Sequence, residues 1–279
     1  MKWQIGDVTI TQFVEIETYG GKEYILPQAT PEALRKIDWL CPHFADEAGR
    51  IRMSIHSFLV ETPTRRIIVD TGMGNDKQKR AQPTWNGRKG PFLAQLAAAG
   101  CPPDTIDTVL CTHMHVDHVG WNTVLSEGRW IPTFPNARYL MGRVEFDHWK
   151  KVREPGLAAI FDDSVRPVAD AGLVDLIDAG HHVCDEFDVI ATPGHSPGHF
   201  SVHVRSKGQD AILIGDAAHH PCQMVHGDWC STIDFDPAQT IRTRNALFSR
   251  FAGTPTLVLA GHFVGGRIVR DGEVFRMAM

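Results

Sequence analysis

Four short apolar runs recur along this chain, each rich in β-branched residues. Each ends in small residues followed by a histidine or an aspartate: DTVLCTH, DVIATPGH, DAILIGD and TLVLAGH. Such runs read as buried strands, with the polar residue lying where strand gives way to loop. Residues 3–14 (WQIGDVTITQFV) alternate enough to predict a strand. The runs SIHSFLVET and RRIIVDTG, joined by Pro63 and Thr64, predict a hairpin. Helical patterns fall at PEALRKIDWL, with Pro31 near its first turn, and at PFLAQLAAAG, with Gly100 as its stop. EFDHWKK, VADAGLVDLI and PAQTIRTRNALFSRFAG also read as helices. Strands dominate first and then alternate with helices, in both halves. That order suggests the α+β class, an αββα sandwich of two mixed sheets flanked by helices, in one domain over 1–279. Periodicity alone leaves the topology open.

Composition narrows the partners. At 279 residues and 43% hydrophobic, the chain is long enough to bury a large core. A net charge of −5 without a Lys/Arg block argues against nucleic acid. No apolar run approaches the length of a membrane span, and MKWQIGDVTITQ lacks the apolar stretch of a signal peptide. The six cysteines are scattered without a C-x-x-C pair, and reduced, mostly buried thiols are expected. Together these predict a cytoplasmic protein with no membrane or nucleic-acid partner; the partner expected is a small molecule. If the chain assembles, the expectation is a homodimer.

The chemistry concentrates in CTHMHVDHVGWN, which places His113, His115, Asp117 and His118 within six positions. A tight loop after a strand can turn these side chains toward one small volume, with His113 and His115 on one metal and Asp117 and His118 on a second. Neutral imidazole and carboxylate are the ligands a borderline divalent cation prefers. A His-rich surface loop is the bland alternative. H-x-H alone would favour it; H-x-H-x-D-H after a strand, followed by Gly120, does not. His195, Asp216 and His262 each end one of the other apolar runs. Singly they are weak signals. Together they complete two coordination shells, with Asp216 bridging. Cys111 falls in the strand pattern and is read as core, so zinc is the default ion, with Mn, Fe, Co and Ni left open.

THMHVDH, PGH at 193–195, GD at 215–216 and GH at 261–262 resemble the metallo-β-lactamase superfamily, from about IIVDTG to the end of the chain. The resemblance implies the αββα fold and two divalent metal ions. It implies that His113, His115 and His195 hold one ion, that Asp117, His118 and His262 hold the other, and that Asp216 bridges them. It also implies that Asp70 orients the metal loop, a role that stands level with simple turn capping. His199 resembles a supporting position and is otherwise structural. Of the two histidines after Asp216, His219 is read as facing substrate and His220 as loop structure.

The reaction expected is hydrolysis by a metal-bridging hydroxide, with Asp117 and His219 as catalytic groups and no serine or cysteine nucleophile. N-acyl homoserine lactonases and methyl parathion hydrolase-like enzymes are similar in carrying the same loop and all three later ligands. A lactonase of neutral esters is the first reading; a phosphotriester or β-lactam hydrolase is the alternative. Lactonases tend to carry a Tyr shortly after the bridging Asp, where this chain has His219. Trp121, Trp229 and Phe263 are expected to line an apolar pocket, while Phe146 and Trp149 read as core. Flavo-diiron oxidoreductases would show Glu in place of His115 and need a flavin domain. Persulfide dioxygenases need a single-iron site, and nucleic-acid-processing members need a basic surface.

Overall fold

In the computed structural model, residues 1–20 and 25–279 are described, and they form two compact units. One comprises Met1–Glu15 and Ile55–Ala179; the other comprises Ile16–Ser54 and Gly180–Met279.

A seven-stranded mixed sheet is built from β1 (Lys2–Ile5), β2 (Val8–Tyr19), β3 (Arg52–Glu61), β4 (Arg66–Val69), β5 (Thr108–Cys111), β8 (Arg138–Gly142) and β9 (Val174–Ile177), in the order β1-β2-β3-β4-β5-β8-β9. A separate hairpin joins β6 (Thr123–Ser126) to β7 (Arg129–Pro132). β3 and β4 are the expected hairpin, pairing Glu61 with Arg66. β4, β5, β8 and β9 run parallel, so β4 and β5 deliver their C-terminal loops at one end of the sheet. In open sheets of this kind, that end is where ligands bind. The core behind the sheet gathers Phe92, Leu96, Val109, Trp121, Tyr139 and Phe161, all nearly water-free. Each such side chain contributes roughly 1.5–3 kcal/mol by burial.

The second unit carries a five-stranded sheet in the order β10 (His182–Cys184), β11 (Phe187–Ala191), β12 (Phe200–Ser206), β13 (Gln209–Leu213), β14 (Leu257–Leu259). A terminal hairpin pairs β15 (Arg267–Asp271) with β16 (Val274–Ala278). β11 to β13 alternate in direction, and β14 lies parallel to β13. β11, β13 and β14 therefore all point the same way, and their exits lead to His195, Asp216 and His262. The helix Pro237–Phe251 buries Leu247, Phe248 and Phe251 in this unit's core, and the side chain of Asp236 caps its first turn.

All four apolar runs are strands, as expected. Three local readings change. Residues 3–14 are two strands, because Gly6 adopts φ 56° and closes a turn that pairs Ile5 with Val8. An alternating pattern runs through such a turn without showing it. In VADAGLVDLI the helix stops at Asp170, Gly172 takes φ 70°, and VDLI joins the sheet as β9. PEALRKIDWL is helical only over Pro31–Leu34, followed by one 3₁₀ turn at Asp38–Leu40. None of the described helices is long and apolar enough to cross a membrane.

Candidate metal centre

The first unit presents the loop after β5. Its rings cluster: His113 lies 4.5 Å from His115 and 4.0 Å from His118, centroid to centroid. His118 Nε2 is 3.8 Å from the Asp117 carboxylate. Asp70, at the exit of β4 with φ 56°, organises the loop from the neighbouring parallel strand. Its Oδ1 accepts the Thr112 amide at 2.7 Å, and its Oδ2 accepts the Thr112 hydroxyl and the Nδ1–H of His118, both at 2.8 Å. Asp70 is thus both a loop cap and the partner of a ring.

The hydrogen bonds settle which ring nitrogen carries the lone pair. Thr112 gives its proton to Asp70, so its oxygen accepts from His113 Nδ1 at 3.1 Å. Both His113 and His118 are thereby held with Nε2 as the basic nitrogen, the state a metal ligand requires. Glu145 supports the loop from the helix Arg143–Trp149, accepting the Met114 amide at 3.1 Å and the Trp149 indole N–H at 2.7 Å. Trp149 in turn meets His115 edge to face at 5.5 Å. Gly120 has no alternative: a Cβ there would stand 2.0 Å from the Met73 carbonyl carbon.

The second unit repeats the device with different parts. His195 Nδ1 donates to Asp234 at 2.8 Å, and His262 Nδ1 donates to the Ser54 carbonyl at 3.0 Å, which again leaves Nε2 basic in both rings. His262 Nε2 lies 3.0 Å and His195 Nε2 3.4 Å from Asp216 Oδ2. Asp216 is itself set by its backbone, whose amide donates to His199 Nε2 at 3.0 Å. That bond fixes the His199 proton on Nδ1, which reaches Thr192 Oγ1 at 2.8 Å. Gly194, at φ 133°, leaves room for Thr240, whose backbone nitrogen would lie 2.4 Å from a Cβ.

His219 is fully buried, 3.4 Å from Asp216 Oδ2, and stacked on His262 with centroids 5.6 Å apart. Asp216, His219 and His262 offer ligand atoms within 4.8 Å of one another, as do His195, His219 and Asp234. Burial pushes the Asp234 carboxyl up, opposed by His219, the Ser231 amide and Arg244. His220 differs from its neighbour. Its Nε2 donates to the Phe44 carbonyl at 2.7 Å, its Nδ1 accepts the Cys222 amide at 3.2 Å, and burial lowers its pKa to about 4. It is a structural histidine.

In each unit, then, carboxylates accompany imidazoles that turn Nε2 away from their supporting partners. Such a donor set fits divalent cations. Burial pushes the Cys111 thiol up, so no thiolate competes. All six cysteines are free thiols. Asp234, Glu145, Thr112 and Gln223 escaped the sequence reading, because each acts on a residue distant in the chain or through backbone that no motif marks. Two pocket residues need correction. Trp121 stacks on Phe92 within the first unit's core, and Phe263 packs on Phe44 within the second's. Large aromatics next to a motif are more readily absorbed by the core than left at a surface. Trp229 is partly buried and stacks on His226 at 4.0 Å.

The chain is 27% identical over 233 residues to the N-acyl homoserine lactonase AttM of Azorhizobium caulinodans, covering 74% of this chain and 80% of that one. It is 23% identical over 224 residues to the N-acyl homoserine lactonase AiiA of Bacillus thuringiensis subsp. kurstaki, covering 76% and 82%. Among solved structures, the hydrolase AbOPH superposes with a TM-score of 0.80 at 26% identity, over 99% of this chain and 95% of that one. AidC, a dizinc quorum-quenching lactonase solved with a product, superposes with a TM-score of 0.81 at 21% identity, over 100% and 96%, a likeness of fold. The pattern of the metallo-beta-lactamase superfamily matches residues 50–262, and the chain belongs to that superfamily as a metal-dependent hydrolase with its fold of mixed sheets and helices.

Proposed function

We propose that this chain is a dinuclear-metal hydrolase of neutral esters, acting chiefly on lactones. The observation that carries the reading is the uniform tautomer of His113, His118, His195 and His262, each held through Nδ1 with Nε2 left basic. His113, His115 and His195 would hold one ion, Asp117, His118 and His262 the other, and Asp216 would serve both. Zinc is the ion this donor set favours by default. When bound, such a pair lowers the pKa of water and polarises an ester carbonyl. The protein's own part is orientation and proton handling. Asp70 and Asp234 keep two rings in place, Asp117 is the carboxylate available to a proton leaving the nucleophile, and His219 is the buried imidazole offered to the substrate carbonyl or leaving oxygen. Lactones come first because the relatives named above are lactonases; neutral phosphotriesters come second.

The test combines elemental analysis of chelator-free protein with a panel of lactones, aryl esters, phosphotriesters, β-lactams and phosphate monoesters. Two ions per chain and fastest turnover of a lactone are expected. One ion or none after refilling in excess zinc overturns the dinuclear site. Preference for phosphate monoesters over every neutral ester overturns the substrate class.

A further inference from the structure

Arg244, in the middle of the helix Pro237–Phe251, is among the largest fully buried side chains of the protein. A guanidinium taken out of water ordinarily faces a carboxylate at hydrogen-bond distance. The close hydrogen bonds of this one go to backbone, with the Cys230 thiol beside it and Asp234 near enough to act on it electrostatically. Its Nη2 donates to the Gly227 carbonyl at 2.9 Å and the Trp229 carbonyl at 2.7 Å. Its Nε and Nη1 have no hydrogen-bond partner among the described residues. Burying a charge on such terms costs stability.

The two carbonyls belong to the segment 226–236, which reaches the metal centre of its unit at two places. Toward its C-terminal end, Ser231 N donates to Asp234 Oδ2 at 2.9 Å, and Asp234 Oδ1 takes the His195 Nδ1 proton at 2.8 Å. The backbone continues the contact: Phe235 N donates to His195 O at 3.0 Å, and Asp236 N donates to Gly194 O at 2.9 Å. Toward its N-terminal end, the Trp229 carbonyl that Arg244 holds also accepts from Gln223 Nε2 at 3.0 Å. Gln223 Oε1 accepts the His219 amide at 2.8 Å and the His220 amide at 3.3 Å. One guanidinium thus anchors the loop that touches His195 by side chain and backbone, and the glutamine that touches His219.

We propose that Arg244 is a positioning residue, which fixes segment 226–236 so that Asp234 orients His195. Arg244 contacts neither His195 nor a substrate; it acts through Asp234. The inference rests on the reading of His195 as a metal ligand for one of its two measurements and is independent of that reading for the other.

The metal-free measurement is NMR of the His195 ring. In the wild-type protein the Nδ1 proton is expected downfield and protected from exchange; in Arg244→Met it is expected to be lost. A protected signal in Arg244→Met overturns the proposal. The second measurement is cobalt(II) affinity by chelator competition in wild type, Arg244→Met, Asp234→Ala and the double variant. Each single change is expected to weaken the ion held through His195 by roughly 10- to 100-fold. The double variant is expected to be no weaker than Asp234→Ala. Unchanged affinity in Arg244→Met, or losses that multiply in the double variant, overturns it. If Arg244→Met does not fold, Arg244→Lys replaces it in both measurements. That variant keeps the charge without the fork, so an intermediate loss is expected, confined to backgrounds that retain Asp234. A loss of equal size with and without Asp234 overturns it. Wild-type protein that binds no cobalt counts against the metal-site reading alone, since the NMR result stands apart from it.

Discussion

The two units assemble their candidate ligands with different economies of chain. In the first, His113, His115, Asp117 and His118 sit on one loop, so a single strand exit and one supporting aspartate organise the set. In the second, His195, Asp216 and His262 leave three separate strands, and each needs its own support: Asp234, His199 and Ser54 respectively. The local set is pre-organised by backbone that the motif itself contains. The dispersed set depends on sheet register, on a left-handed glycine and on a loop held from a helix. Long-range contacts of this kind are where mutations far from the chemistry act.

The largest expected effect breaks the dispersed set at its centre. Asp216→Asn should lower turnover by more than the roughly 100-fold that loss of an outer partner costs, because it removes a ligand charge rather than a support. His262→Ala should empty one ion position and spare the other. Elemental analysis and steady-state rates check both, and two tightly held ions in each variant would refute the ligand assignment.

Next come the supports. Asp70→Ala and Asp234→Ala should each cost roughly 10- to 100-fold in metal affinity. They should differ in stability. Asp70 also caps Thr112, so its loss should lower the melting temperature of metal-free protein more than loss of Asp234 does. Equal melting shifts would undo the contrast between a loop that folds around its aspartate and one merely anchored by it.

A third pair compares close approaches. Gly120→Ala drives a methyl to 2.0 Å from Met73 backbone, and Gly194→Ala brings one to 2.4 Å from Thr240 while φ stays at 133°. Overpacking costs about 1–3 kcal/mol or more, with strained φ adding to it at Gly194. Denaturant melts should find both variants destabilised, each through backbone rather than ligand chemistry.

The smallest effect concerns pH. His220 is held neutral in the folded protein, with its pKa lowered by burial to about 4. Below an unfolded value near 6.5 the unfolded chain binds the extra proton, so stability falls as pH drops from about 6.5 toward about 4. Ring-nitrogen NMR should show His220 neutral at pH 5, and a His220 that titrates near 6.5 would contradict its buried role.

The candidate residues could be picked out in the sequence because imidazole and carboxylate announce themselves chemically. H-x-H-x-D-H packs four donors into six positions, and His195, Asp216 and His262 each follow a short β-branched apolar run that folds as a strand. The supports were not legible in the same way. Asp234 looks like any aspartate before a helix, and Glu145 like any acid on one. Trp121 and Phe263 beside the motifs read as pocket walls, yet both are core.

By itself the sequence determined the four buried strands of the apolar runs and which side chains stand at their exits, since strand burial and turn preference act over a few residues. It determined the donor chemistry of the candidate ligands, since imidazole and carboxylate carry that chemistry anywhere. Only tertiary structure decided that β4 lies parallel to β5, which brings Asp70 to His118 across 48 positions of chain. Only tertiary structure decided that Arg244 reaches back to Gly227 and Trp229, and that Gly6 turns one alternating run into two strands. Those outcomes depend on which distant groups become neighbours when apolar surface is buried, and no local pattern encodes a neighbour that the chain meets only after folding.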